Sequence, residues 1–173
     1  MSTTDSNNIS VLCAISRFPE MYLMPAASFP FELDGQYCAS IGSFMYSLLF
    51  GVPEERRNVA SLCPACAEMQ AHTAMRYWRV NPHPLYWNGQ QYVRDSREYQ
   101  YLILRAHEAR ARQNMQVAQS MFLTRNSTYQ CTMYGEDKKA TLVTDSELIE
   151  TLYYLRQLME QDSALQWWRW KED

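Results

Sequence analysis

The chain has 173 residues, 47% of them apolar and 20% charged, which describes one soluble globular domain with enough apolar material for a single core. Its net charge of −3 argues against a binder of the nucleic-acid phosphate backbone, although Arg105, Arg110 and Arg112 crowd one segment and leave a local basic groove open. Without any run of about 18 apolar residues, no membrane span is expected.

The opening residues, MSTTDSNNIS, are polar and lack the charged-then-apolar pattern of a secretory signal, so residues 1–10 are expected to be disordered. Five scattered cysteines (Cys13, Cys38, Cys63, Cys66 and Cys131) fit a reducing cytoplasm better than a disulfide framework. From Val11 to Gly35 the chain is apolar but interrupted by Pro19, Pro25 and Pro30, which leaves short strands or extended pieces. Phe29 to Gly35 reads as a short strand entering an Asp-Gly turn. Ser40 to Phe50 is apolar almost all round and predicts a buried helix stopped at Gly51.

Pro53 to Ala60 predicts a short helix, and Pro64 to about Trp78 another, since proline is tolerated in a first helical turn. Asn81 to Pro84 must be a loop, because each proline disfavours helix at the residue before it. Asp95 with Glu98 has capping-box spacing and leads into Tyr99, Leu102, Ile103 and Ala106 on one helical face. Thr144 with Glu147 repeats the device ahead of Leu148, Leu152, Leu155 and Met159. Between them, Tyr129 to Val143 carries alternating β-favouring residues and predicts a hairpin. The expected class is mainly α with minor β, with a single domain over 11–162 and a tryptophan-rich tail over 163–173.

The stretch Leu102 to Thr124, LILRAHEARARQNMQVAQSMFLT, resembles the signature of the NADAR (YbiA-like) family, in which a helix of the form "vM..al.aKf.qN" leads without interruption into "..L...LL.T". Leu102-Ile103, Ala106, Ala109-Arg110, Gln113-Asn114 and Met121 to Thr124 fall at those spacings. Pro30-Phe31 with Asp34-Gly35 and Tyr37 is similar to the family's "pF..dG..y", and Ser40 to Phe50 takes the place of its "SvEHyfqa.Kf" helix. Pro64 to Ala67 resembles "sP.eA", Trp87 the tryptophan before the long helix, Tyr134-Gly135 the "WG" pair, and Leu148, Leu152 and Leu155-Arg156 the closing helix. The resemblance implies the single-domain NADAR fold and an N-glycosidase-like cleft for a ribose-linked base or ADP-ribosyl group.

Such chemistry needs a carboxylate to steer water or stabilise oxocarbenium-like charge. The family's Glu aligns with Gly42 (or, one register over, Ile41), and its neighbouring His with Ser43; neither Gly42 nor Ile41 can take a proton. Met24-Pro25-Ala26 stands where the family has "SNF", the acid before its "WG" falls near Cys131, and its Gly-rich segment is replaced by Glu136 to Lys139. The expectation is a NADAR scaffold with a degenerate active site that binds a nucleotide-like or ADP-ribose-like ligand, or a protein partner, without catalysis. The alternative is a divergent N-glycosidase acting on an ADP-ribosyl (guanosine) or ribosylamine bond.

Glu136, Asp137 and Glu32 are the candidate replacement acids, each weighed against a solvated turn or surface residue. Arg110 and Arg105 are candidates to grip a pyrophosphate, since guanidinium pairs bidentately with phosphate oxygens, with Trp87 and Tyr134 as further ligand contacts. His107 reads as a surface or partly buried helix residue. Cys63-Pro64-Ala65-Cys66 has redox or half-zinc spacing, but only His72 lies close by, so two incidental helix cysteines are favoured and neither metal nor cofactor is expected. Trp167, Trp168, Arg169 and Trp170 combine the residue types of binding hot spots, which gives two readings: a tail covering the domain, or a protein-docking or homo-oligomerising element.

Overall fold

Six helices carry the fold among the residues that the computed structural model describes, 9–13 and 17–162. They are α1 (Ile41–Ser47), α2 (Pro53–Ser61), α3 (Pro64–Val80), α4 (Arg97–Gln113), α5 (Met115–Leu123) and α6 (Asp145–Gln161). The β structure is three two-stranded pieces: β1 (Ile9–Leu12) with β6 (Thr128–Cys131) in parallel, and the hairpins β2 (Phe31–Leu33) with β3 (Gln36–Cys38) and β4 (Leu85–Trp87) with β5 (Gln90–Tyr92). The mainly α class with minor β is as the sequence reads. No described helix is long and apolar enough to cross a membrane.

Both hairpins turn on residues with positive φ, Asp34-Gly35 (51° and 75°) and Asn88-Gly89 (44° and 76°), the backbone that matches a two-residue turn to strand twist. The second has the same Asn-Gly signal as the first has Asp-Gly, yet it fell outside the sequence reading. Together the hairpins bring Phe31 and Trp87 onto Phe44 of α1, with ring centroids 6.3 and 4.8 Å apart in edge-to-face packing. Around this centre Leu48, Trp78, Leu85, Leu102 and Leu152 are fully buried, one contiguous core shared by α1, α3, α4 and α6.

The family-like positions of the long segment have structural tasks. At Asn114 the helix breaks, ending α4 and starting α5, and the amide side chain donates to Pro30 O (2.8 Å) and Arg110 O (2.9 Å). Gln113 exchanges two hydrogen bonds with the backbone of Glu32, at 2.8 and 2.9 Å. The pair therefore fastens β2 to the α4–α5 junction. Thr124 closes α5, its hydroxyl 2.7 Å from that of Tyr129, while Arg156 donates to Thr124 O (2.8 Å) and Ser127 O (3.0 Å).

Several expectations are corrected. α1 ends at Ser47, short of Gly51: the amides of Leu48, Leu49 and Phe50 bond three residues back, to Met45, Tyr46 and Ser47, and the Leu48 carbonyl accepts from Tyr86 N of β4 (2.8 Å). Ser96, and not Asp95, caps α4, accepting from Tyr99 N (3.1 Å), and Asp95 instead pairs with Lys138 (2.6 Å). No hairpin spans 129–143: β6 takes its partner from β1 at the other end of the chain, and the following segment is turns. Alternation marks a strand but does not choose its partner. β1 also begins at Ile9, inside the segment expected to be disordered.

The Thr144–Glu147 capping box forms as read. Glu147 also receives Arg94 at 3.0 and 2.6 Å, a bidentate pair with side chains only 13% and 8% exposed. Burial alone would raise the Glu147 pKa, but the Arg94 hydrogen bonds, the Thr144 amide and the charges of Arg94 and Lys138 outweigh it, and the net shift is downward. A carboxyl held below its unfolded value contributes stability that is complete above roughly pH 4.3 and is lost as pH falls through the folded value. Glu147→Gln is expected to cost about 1–3 kcal/mol at pH 7 and to flatten the acid limb of a stability–pH curve, measured by urea unfolding. An acid limb as steep as in the parent chain would count against this.

Candidate functional site

Among the described residues, a groove of about 930 Å³ runs between α1 and α3. The α1 wall presents Gly42, Met45 and Tyr46 at i, i+3 and i+4. From α3 come Pro64, Glu68, Met75 and Arg79, which at i, i+4, i+11 and i+15 form one helical stripe. Ala26 and Ser28 close one side, and Met133, Tyr134 and Ala140 to Leu142 the other.

At Gly42 the floor is bare backbone. Its N–H donates to Pro25 O (2.8 Å), and a Cβ there would meet that carbonyl oxygen at 3.3 Å. The position that the resemblance assigns to the family's Glu is thus closed over by the segment around Pro25, which is tighter than most side-chain contacts allow. Ser43, in place of the family's His, is buried, with its hydroxyl donating to Leu62 O (2.8 Å), so it supports the α2–α3 connection.

Tyr134 is set by Asp145, whose carboxylate accepts from the amides of Met133 (3.0 Å), Tyr134 (2.9 Å) and Gly135 (2.9 Å). Gly135, with φ of 72°, supplies the left-handed backbone that lets the three amides converge. Burial pushes the Tyr134 phenol pKa well up, with the charges of Cys131, Tyr46 and Asp145 adding to it. The Tyr46 pKa is raised too, first by burial and then by the charge and hydrogen bond of Glu68, against an opposing effect of Arg79. Arg79 donates through Nε to Ala140 O (2.8 Å) and is otherwise exposed. Two phenol rings, three thioethers, one carboxylate and one guanidinium thus line the groove, an apolar and aromatic lining with a few polar groups.

Of the candidate acids and ligand contacts read from the sequence, Tyr134 lines this groove, as does Cys63 of the Cys63–Cys66 pair, while Glu32, Trp87, Arg105, Arg110, Glu136 and Asp137 do not. Glu136 accepts from Ser146 N (3.0 Å) and Oγ (2.9 Å) at the start of α6, and Asp137 accepts from Lys139 N (2.9 Å) in a tight turn. Glu32 is exposed on β2, with its backbone tied to Gln113. Arg105 pairs with Asp34, which also accepts from Trp87 Nε1 (2.9 Å), and Trp87 is wholly buried beneath them. Arg110 is 1% exposed and donates to Met24 O (2.9 Å) and Leu23 O (3.0 Å).

His107 is buried, not on the surface, with Nδ1 3.4 Å from Arg110; burial and then the Arg110 charge push its pKa well down and keep the ring neutral. Trp167, Trp168, Arg169 and Trp170 lie outside the described residues. Glu68, Tyr46, Arg79 and Asp145 were not singled out. The helical stripe that begins at Pro64 was the available signal for Glu68 and Arg79, while nothing in local sequence marks Asp145. No cluster of three or more potential metal ligands occurs among the described residues.

No curated protein sequence matches the chain. Among solved structures, it is similar to that of the Escherichia coli protein YbiA, with a TM-score of 0.58 at 12% identity, over 89% of this chain and 86% of the other. At that identity the likeness establishes the fold alone, and it is the fold the sequence resemblance implies. The model of the family described as Bacteriophage protein GP30.3 matches residues 17–157, most of the domain. With its YbiA-like fold and that match across α1 to α6, the chain belongs to the bacteriophage protein GP30.3 family.

Proposed function

We propose that the groove between α1 and α3 binds a nucleotide-like ligand of the ADP-ribose class and does not cleave it. The observation that carries this reading is the bare backbone at Gly42, packed under the Pro25 carbonyl, where the resemblance puts the carboxylate of an N-glycosidase. General acid–base catalysis contributes about 10²–10⁴-fold in rate, and Glu136, Asp137 and Glu32 are held elsewhere. Tyr46 and Tyr134 offer ring faces for a base, and the exposed end of Arg79 offers donors for a pyrophosphate.

Titration of the full-length chain with ADP-ribose by calorimetry should give saturable binding. Chromatography of the protein incubated with ADP-ribosylated guanosine nucleotide should show no released base. Tyr134→Ala and Arg79→Ala should each weaken binding by about 1–3 kcal/mol, roughly 5- to 150-fold, as expected for a lost stacking platform or charged donor. Absence of binding by the parent chain would remove this reading.

A second reading, a divergent N-glycosidase, is favoured by Glu68, a carboxylate on the groove wall whose charge helps to raise the Tyr46 pKa. It requires base release that Glu68→Gln abolishes while the fold is kept. Release that survives Glu68→Gln but is lost on changing Glu136 and Asp137 to alanine would move the acid to the turn before α6.

A further inference from the structure

We propose that Cys63 and Cys66 form a redox-active dithiol that exchanges with small-molecule disulfides of the glutathione class and closes to an internal disulfide at the start of α3. The cysteines occupy the N-cap and the third residue of a 17-residue helix, with Pro64 fixing the first turn between them. Cys63 has extended N-cap backbone (φ −58°, ψ 155°), which folds its side chain back over the turn and puts Sγ 3.4 Å from the Cys66 amide that donates to it. The two cysteines therefore sit one turn apart, at i and i+3, with Cys63 Sγ turned over the first turn toward Cys66, where closing a disulfide asks for side-chain rotation more than backbone movement.

Both residues are exposed, and Cys63 opens onto the rim of the groove, so an incoming disulfide has a path to it. The end of the helix where the amides point outward favours a thiolate. The thiol and amide of Cys66 hold the Cys63 thiol below its ordinary range, and the partner Cys66 is raised in return. Cys38 and Cys131 are the opposite case, their thiols pushed up to about 12, chiefly by burial. Cys63 is thus the attacking sulfur and Cys66 the resolving one.

In the first step the Cys63 thiolate attacks one sulfur of the small disulfide RS–SR. The S–S bond breaks, RS⁻ leaves and takes up a proton, and a mixed disulfide remains on Cys63. The Cys66 thiolate then attacks Cys63 Sγ and expels the second RS⁻, which is protonated in turn. Two electrons pass from the protein dithiol to RS–SR, giving two RSH and one protein disulfide. The inference stands whatever the groove binds.

The test equilibrates the full-length chain with mixtures of reduced and oxidised glutathione at pH 7, followed by acid quenching, alkylation and peptide mass spectrometry. The expected result is loss of two hydrogens confined to the peptide that spans Cys63 and Cys66, reversed at high reduced glutathione. C66S should trap a glutathione adduct on Cys63, whereas C63S should leave Cys66 reacting several-fold more slowly. Independent glutathione adducts on both cysteines with no internal disulfide at any ratio would overturn the proposal. So would faster reaction at Cys66 than at Cys63.

Discussion

Trp87→Ala is expected to lower the free energy of unfolding by about 3–5 kcal/mol, the range for removing a large aromatic from a packed interior. Trp87 is wholly buried, its ring edge-to-face with Phe44 at 4.8 Å, and its indole N–H donates to Asp34 (2.9 Å), which Arg105 also holds. The residue therefore joins the β4–β5 hairpin to α1 and to the turn of the β2–β3 hairpin. Trp87→Phe keeps most of the ring contact and loses the hydrogen bond, worth about 1 kcal/mol together with some packing, and should fall well short of the alanine cost. Chemical denaturation followed by circular dichroism measures both. A loss below about 1 kcal/mol for Trp87→Ala would mean that the ring is not a core residue and would reopen the ligand-contact role given to it by resemblance.

The second large effect is expected at Arg110. Its guanidinium is buried with no carboxylate partner among its hydrogen bonds; it holds the carbonyls of Leu23 and Met24, and burial lowers its pKa to about 10, which still leaves it charged at neutral pH. Arg110→Met would leave the Leu23 carbonyl without its donor, at about 1–3 kcal/mol, and Met24 O with the Ala27 amide alone (3.1 Å), partly offset because no charge need then be desolvated. A net loss of about 1–3 kcal/mol is expected by urea unfolding.

The change should also loosen the segment that follows. Pro25 accepts from Gly42 N, and Ala26 and Ser28 line the groove, so amide exchange at Gly42 and Ala27 should accelerate more than exchange along α6. Uniform acceleration would indicate global destabilisation only, and an unchanged stability would remove Arg110 from the account of how the groove wall is fixed. The positive charge that resembled a phosphate grip is spent inside the protein on backbone.

Much of the fold was legible because its signals are local. Proline at the first positions of α2 and α3, the Thr144–Glu147 box and the Asp34-Gly35 turn each act within a few residues, and each forms where the sequence puts it. The family-like spacing of Gln113-Asn114, Thr124 and Arg156 was legible as pattern, but its meaning was not. Those side chains fasten segments that are distant in sequence, such as Asn114 to Pro30 and Arg156 to Ser127. The candidate site was read less well, since charge and motif position suggested Glu136, Asp137, Arg105 and Arg110. Each of those side chains has a nearer structural partner that no local window reveals.

The sequence by itself determined the helical frame and the NADAR-like family pattern, because residue type, periodicity and capping act over one or two turns of chain. Tertiary structure alone decided that β6 pairs with β1, that α1 stops at Ser47, that His107 and Arg110 are interior, and that Tyr46, Glu68, Arg79 and Tyr134 share one groove. The physical reason is the same in each case. Burial and hydrogen-bond partners are set by which elements meet across the core, and that depends on contacts between residues far apart in the chain.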